Sequence, residues 1–423
     1  MAMDDRSARR YIVALSAAAL VLRLAFALFY WTGKPLTHDE REYLELATSL
    51  ANGRGFTYDM ASETGTAQRF GRAPGYPAFL ALAGAGRGVP DAAPTRVKIA
   101  QSAVGAATVW LIGVLALRSM GPRPGVAAAA IAAVYPPLVW IPSYVFSETL
   151  FSLASLGAAF VLQIAVDRAG IERSSRRGGA LALAAGVLSG AAILIRPVML
   201  FFLPLAALWL LRRRRIPLLA ALLAGTFAVV APWTARNVRA YGKFVLVASE
   251  GGVTFWTGNH PLARGEGDLA ANPELKRAEI EFRRAHPGLT PEDLEPLYYR
   301  DAFGHIASHP GWWAGLLARK AFYTVIPAGP SYTLHSTRYW AASVISYALL
   351  LPLAIAGLRR IWRSPRRPTA VLLLAASAVL ASLVFFPQER FRIPVIDPVL
   401  IACAAALAGS SRLAPRQAGL YSA

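Results

Sequence analysis

The chain has 423 residues, 55% of them hydrophobic, with a formal charge of +20 and a mean hydropathy of +0.42. Its apolar residues fall in repeated runs of about 15–20, the length a bilayer demands, so an ordinary soluble domain is excluded. The single cysteine, Cys403, excludes intrachain disulfides and Cys-based metal sites.

Ten apolar runs read as membrane helices: 11–30, 98–117, 125–143, 148–166, 180–195, 197–211, 216–233, 339–358, 369–386 and 393–408. The first is too long for a signal peptide, and "FYWTG" lacks a small-residue cleavage site, so it reads as an uncleaved span. The fifth carries Gly186-x-x-x-Gly190, which predicts close helix packing. The fifth and sixth are short and are divided at Arg196–Pro197. If residues 1–10 are cytoplasmic, alternate short segments hold 20 bases against four acids (Asp4, Asp5, Asp167 and Glu172), and the rest of the chain holds 24 against 20. This asymmetry follows the positive-inside rule, so the charge reports orientation and not nucleic-acid binding. Both termini are expected inside.

Taken in order, the outer segments carry the chemistry. Residues 31–97 form a long first outer loop of an N-terminal module, 1–233. There "THDE" predicts a capping box, Thr37 with Glu40, at the start of a helix. Tyr43, Leu46, Ala47 and Leu50 fall on one face of that helix, which is expected along the membrane surface. "RAPGYPAFLALAGAG", from Arg72, is apolar but too short to span. A second long loop, 234–338, holds "GGVTFWTGNHPLARGEGD". Two helix starts follow, at Asn272-Pro273-Glu274 and Thr290-Pro291-Glu292-Asp293, each a cap, a proline and an acid. "HPGWWAGLLARKAFY" suits an interfacial helix. Residues 339–423 return to the membrane.

The acids Asp39 and Glu40 are the candidate catalytic pair. Glu40 is needed by the capping box; Asp39 is not, and an ionised carboxylate there can accept a proton from a hydroxyl. Glu148 begins the fourth run, where an acid is costly unless it faces the bundle or water. Arg72, Arg196, Arg390 and Arg392 all fall at the outer boundary. Guanidinium forks there suit a phosphate. Tyr76, Trp256 and Asn259 join them as candidate substrate-binding positions. Arg23, inside the first run, is expected to face the bundle.

"HDEREYLELATSLANGRGF…GRAPGYPAFLALAG" resembles the first outer loop of bacterial GT-C glycosyltransferases of the protein O-mannosyltransferase and aminoarabinose-transferase type (family 39-like). "WTARNVRAYGKFVLVASEGGVTFWTGNHPLARG", "ILIRPVML" and "RFRIPV" support it. The resemblance implies an all-α polytopic bundle of about ten membrane helices with two longer extracytoplasmic loops. It implies a polyprenyl-phosphate-linked sugar as donor and a glycan, lipid or protein hydroxyl as acceptor, with inversion at the anomeric carbon. Asp39 would be the general base, Arg72 would touch the donor phosphate, and Glu148 would be a second outer-loop acid. No metal is required, because phosphate leaves as a stable anion, although a divalent cation between Asp39 and Glu148 stays open. The implied place is the bacterial inner membrane, with the active site extracytoplasmic. Departures are the lack of a substantial C-terminal soluble domain and "APGYP" in place of a double proline. A surface-glycan ligase or polymerase, or a secondary transporter, are the alternatives.

Overall fold

The computed structural model describes residues 3–56, 71–85, 90–171, 176–267, 269–326, 337–364 and 366–409. Four charged residues of the predicted inner segments, Glu172, Arg173, Arg412 and Arg416, lie outside these. The described residues form helices and loops, with one isolated antiparallel bridge between Pro35 and Ala92.

Helix α1 (Asp5–Ala25) continues as a π turn to Tyr30. In the first long loop come α2 (His38–Ala51) and α3 (Gly75–Leu82). The bundle continues with α4 (Thr95–Met120), α5 (Pro122–Val134), α6 (Pro136–Trp140), α7 (Glu148–Ile171), α8 (Arg176–Ile195), α9 (Phe202–Arg212) and α10 (Ile216–Tyr241). The second loop folds into α11 (Gly251–Asn259), α12 (Pro273–Arg284), α13 (Pro291–Ser308) and α14 (Pro310–Val325). Last come α15 (Thr337–Trp362), α16 (Thr369–Val384), α17 (Glu389–Arg392) and α18 (Ile396–Ala405).

Each of the ten apolar runs is helical, but they differ in length. Among the described residues six helices, α1 with its π turn, α4, α7, α8, α10 and α15, are long and apolar enough to cross a membrane. The run predicted over 125–143 passes only as a pair, because α5 and the segment after it bend by 64°. The cause is Pro136, which pushes Tyr135 to an extended ψ of 115°. The segments 197–212, 369–384 and 396–408 are shorter apolar helices. The break at Arg196 is real: its backbone is extended, and a 3-10 turn (Pro197–Phe201) separates α8 from α9.

That proline break also accounts for Arg23. Prolines at 136 and 137 have no N–H to give the carbonyls of Ala132 and Ala133. Arg23 supplies both: Nη1 donates to Ala133 O and Nη2 to Ala132 O, each at 3.1 Å. A bilayer offers no water to do so instead.

Close packing rests on small residues, as the spacing predicts. α8 lies against α10 and α7. A Cβ on Gly186 would sit 2.1 Å from Leu222 O, and one on Gly225 2.3 Å from Leu183 O. The predicted helix starts are observed. Thr37 and Glu40 form a capping box on α2, as Thr290 and Asp293 do on α13, and Asn272 caps α12. The outer helices α11–α13 bury a core of their own around Phe255, Trp256, Leu275, Leu294 and Tyr298. α10 runs to Tyr241, beyond the predicted boundary at 233.

Candidate active site

A cavity of about 580 Å³ opens where α2, the loop 244–250, the start of α7, the Arg196 break and the loop after α16 meet. Asp39, Arg72, Glu148, Arg196, Glu250 and Arg390 line one part of it. Phe151, Val198, Leu200, Leu374 and Phe385 are among the apolar residues lining the rest.

Asp39 stands at the second position of α2, next to the capping threonine's box, and projects into this cavity. Its Oδ1 accepts from Arg72 Nη2 at 2.8 Å and its Oδ2 from Arg390 Nη1 at 2.7 Å. Burial works against its charge, but the two guanidiniums outweigh it and hold the carboxyl well below the usual carboxylate range. Arg72 also bonds Glu42, approaches Glu250 Oε1 at 3.3 Å, and lies over the Tyr43 ring at 5.0 Å. Arg196 sits at the break between α8 and the 3-10 turn, so its side chain leaves the helix axis and enters the cavity. Its Nη1 is 2.7 Å from Glu148 Oε1. That contact is an ion pair without an aligned hydrogen bond, since Glu148 Oε1 accepts none, whereas the same Nη1 donates to Ser147 Oγ at 3.2 Å. Phe391 joins two of the arginines: Arg196 and Arg390 lie 4.9 and 5.3 Å from its ring centre.

The arrangement thus brings together Asp39, Arg72, Glu148, Arg196 and Arg390 of the sequence candidates. The others sit elsewhere. Glu40 is buried at 3% exposure. Its Oε2 takes Thr37 N and Oγ1, and its Oε1 takes Val145 N at 2.8 Å, so it pins the start of α2 to the turn before α7. Tyr76 lies behind the wall, edge-on to Tyr43, with its hydroxyl on Gln101. Arg392 faces the bundle: its Nε donates to buried Asp397 Oδ1 at 2.8 Å, and its guanidinium covers the Tyr347 ring at 3.7 Å. Trp256 donates to Asp301 inside the outer core. Asn259 ties Trp313 and Lys320 to the end of α16 through Val384 O. Spacing alone gave no sign that Arg390 and Arg392, two residues apart on one short helix, part company.

Two residues of the site escaped the sequence reading. Glu42 lies one turn after Asp39 on the same helix, and that i, i+3 spacing was the available signal. Glu250 precedes the glycine pair that opens α11, where it reads as an ordinary helix-start acid. Among the described residues no three His, Cys, Asp or Glu side chains gather as for a metal. Of the two acids named from the sequence for a bridging cation, Asp39 holds Arg72 and Arg390, and Glu148 faces Arg196.

No family model and no characterised protein sequence matches the chain. Solved structures do. The archaeal oligosaccharyltransferase AglB from Archaeoglobus fulgidus, in complex with an inhibitory peptide and a dolichol-phosphate, superposes with a TM-score of 0.55 and 16% identity, over 94% of this chain and 50% of that one. An Archaeoglobus fulgidus oligosaccharyltransferase tethered with an acceptor peptide gives 0.56 and 15%, over 94% and 49%. ArnT from Cupriavidus metallidurans bound to undecaprenyl phosphate gives 0.45 and 15%, over 94% and 78%. The chain spans about half the length of the oligosaccharyltransferases it matches. Its fold is the GT-C fold, the architecture of a class of membrane glycosyltransferases.

Proposed function

We propose that this protein is an inverting membrane glycosyltransferase that moves a sugar from a polyprenyl phosphate to an acceptor hydroxyl at the extracytoplasmic face. The observation that carries this reading is the cavity's division of labour. Three guanidiniums, those of Arg72, Arg196 and Arg390, border with their paired carboxylates a space that apolar side chains of the bundle, such as Phe151, Leu200 and Leu374, also line. A prenyl-linked phosphate has that same division between anion and hydrocarbon. The arginines stabilise charge as it develops on the departing phosphate oxygen. Asp39 holds Arg72 and Arg390 at the spacing of one carboxylate, which is close to that of a phosphate edge. For it to act as the base expected from the sequence, both guanidiniums must first move onto the donor. The basic inner segments support an outward-facing site.

The test uses the full chain in lipid nanodiscs with undecaprenyl phosphate as probe. Saturable binding that falls at least tenfold in Arg196→Ala and Arg390→Ala is expected. Transfer from polyprenyl-phosphate sugars should give product of inverted anomeric configuration. Binding unaffected by either substitution, or a retained configuration, would overturn the reading.

A further inference from the structure

A second cavity, of about 510 Å³, lies on the outer side between α2, α12 and α13. Ten of the eighteen described residues that line it are polar or charged, among them His38, Glu42, Glu279, Arg283 and His286, and apolar side chains such as Val253, Leu269 and Leu294 line the remainder. Among the described residues two line both cavities, Arg72 and Glu250. The ion pair between them, at 3.3 Å, is therefore a wall shared by the two cavities.

Resting on the glycosyl-transfer reading, we propose that Glu250 is the catalytic base, taking the proton of an acceptor hydroxyl that enters from the second cavity. Geometry favours it over Asp39. Asp39 gives one oxygen to each of two arginines. Glu250 meets one arginine and keeps 41% of its side chain open, toward the cavities it lines. A hydroxyl approaching the arginine-held phosphate from the polar side meets Glu250 on the way.

The charges that act most on Glu250 are Arg72 from the loop before α3, Arg196 from the end of α8, and Glu42 and Asp39 from α2; Glu148, Arg390, Glu295 and Tyr299 share the first cavity with it, and His38, Glu279, Arg283, Arg284, His286 and Tyr298 the second. Glu295 is turned to the start of α11, where Gly252 N–H donates to it. Glu250 opens to cavity space and not to bulk water, and the loss of hydration there pushes its carboxyl up to about 7, with Glu42 and Asp39 adding to the effect and Arg72 and Arg196 opposing it. A base so poised is strong enough to take a proton yet still ionised near neutrality. In the reaction the hydroxyl proton passes to a Glu250 oxygen while the hydroxyl oxygen bonds to the anomeric carbon. The bond from that carbon to the phosphate oxygen breaks, and its electron pair leaves on the prenyl phosphate. The products are the new glycoside, prenyl phosphate and protonated Glu250. The acceptor class that the second cavity suits is a polyhydroxyl compound such as a saccharide, whose hydroxyls would meet His38, Glu42, Glu279, Arg283 and His286 while its ring faces meet Tyr298 and the aliphatic side chains.

The experiment measures transfer by the full chain in vesicles of phosphatidylethanolamine and phosphatidylglycerol. The donors are a labelled panel of polyprenyl-phosphate hexoses and pentoses, and the acceptors are methyl glycosides or a long-chain alcohol. Because the base works as its carboxylate, wild-type rates should fall as pH drops through about 7. E250Q should lose about 10²–10⁴-fold in rate and lose that acidic limb. E250D should keep the limb at a reduced rate. Undecaprenyl phosphate binding should change less than about threefold in both, which shows that they fold. Wild-type transfer with an unchanged rate or limb in E250Q overturns Glu250 as base and leaves the glycosyl-transfer reading standing. Preference for the long-chain alcohol overturns the second cavity as the entry. Wild-type protein that neither binds undecaprenyl phosphate nor transfers from any donor overturns the underlying reading.

Discussion

Arg390 Nη1 meets Asp39 Oδ2 at 2.7 Å across 351 positions of sequence. The contact ties the short helix α17, near the end of the chain, to the first outer loop, and Arg72 completes it on the other carboxylate oxygen. Substitution at Asp39 therefore tests two roles at once. An amide at this position accepts at one oxygen only. Asp39→Asn should release one guanidinium, weaken undecaprenyl phosphate binding about tenfold, and leave the acidic limb of the rate profile in place. A loss of 10²–10⁴ in rate with donor binding intact is instead the signature of a base at Asp39. Parallel binding and rate measurements separate the two.

Arg72 touches three carboxylates, those of Asp39, Glu42 and Glu250. A lysine ammonium is a point charge and cannot hold that fork. Arg72→Lys should reduce kcat/KM by at least about tenfold, equivalent to 1.4 kcal/mol. Rates near wild type would show that only the charge is used.

Arg392 should behave differently from Arg390. Its removal strands Asp397, which is fully buried with only Tyr135 also bonded to it. Breaking such a pair costs about 3–5 kcal/mol. Arg392→Ala should lower thermal stability in detergent strongly, while the fraction that stays folded binds undecaprenyl phosphate normally.

Arg23→Leu should leave the carbonyls of Ala132 and Ala133 without donors, at about 1–3 kcal/mol each. The effect is read as a lower midpoint in thermal unfolding, with undecaprenyl phosphate binding by the folded protein unchanged.

Orientation can be read with thiol reagents because Cys403 is the single cysteine and is buried. Cysteines placed at Arg177 and Arg264, both exposed, should label from opposite sides of a sealed vesicle. Labelling from one side would break the charge-derived topology.

The capping signals, the apolar runs and the Gly186 packing motif were legible because each depends on residues close in sequence. The same is true of Asp39, set apart from Glu40 by the demands of the box. Glu250 was not legible: its meaning comes from Arg72, brought to it by the fold from 178 positions earlier. Arg392 misled for the converse reason. Its boundary position resembles that of Arg390, and only the helical turn of α17 sends one to the cavity and the other to Asp397. The bend at Tyr135 could have been foreseen from the paired prolines, and with it the partner of Arg23.

Four carboxyl side chains, of Asp39, Glu148, Glu250 and Glu295, line the first cavity beside three guanidiniums. Three of these carboxylates, Asp39, Glu148 and Glu250, already face the arginines. On the proposed reading an arriving phosphate would exchange with them, and they would return when the lipid product departs. Affinity would then be a difference between two sets of ion pairs, which would keep a strong anion site from retaining its spent carrier.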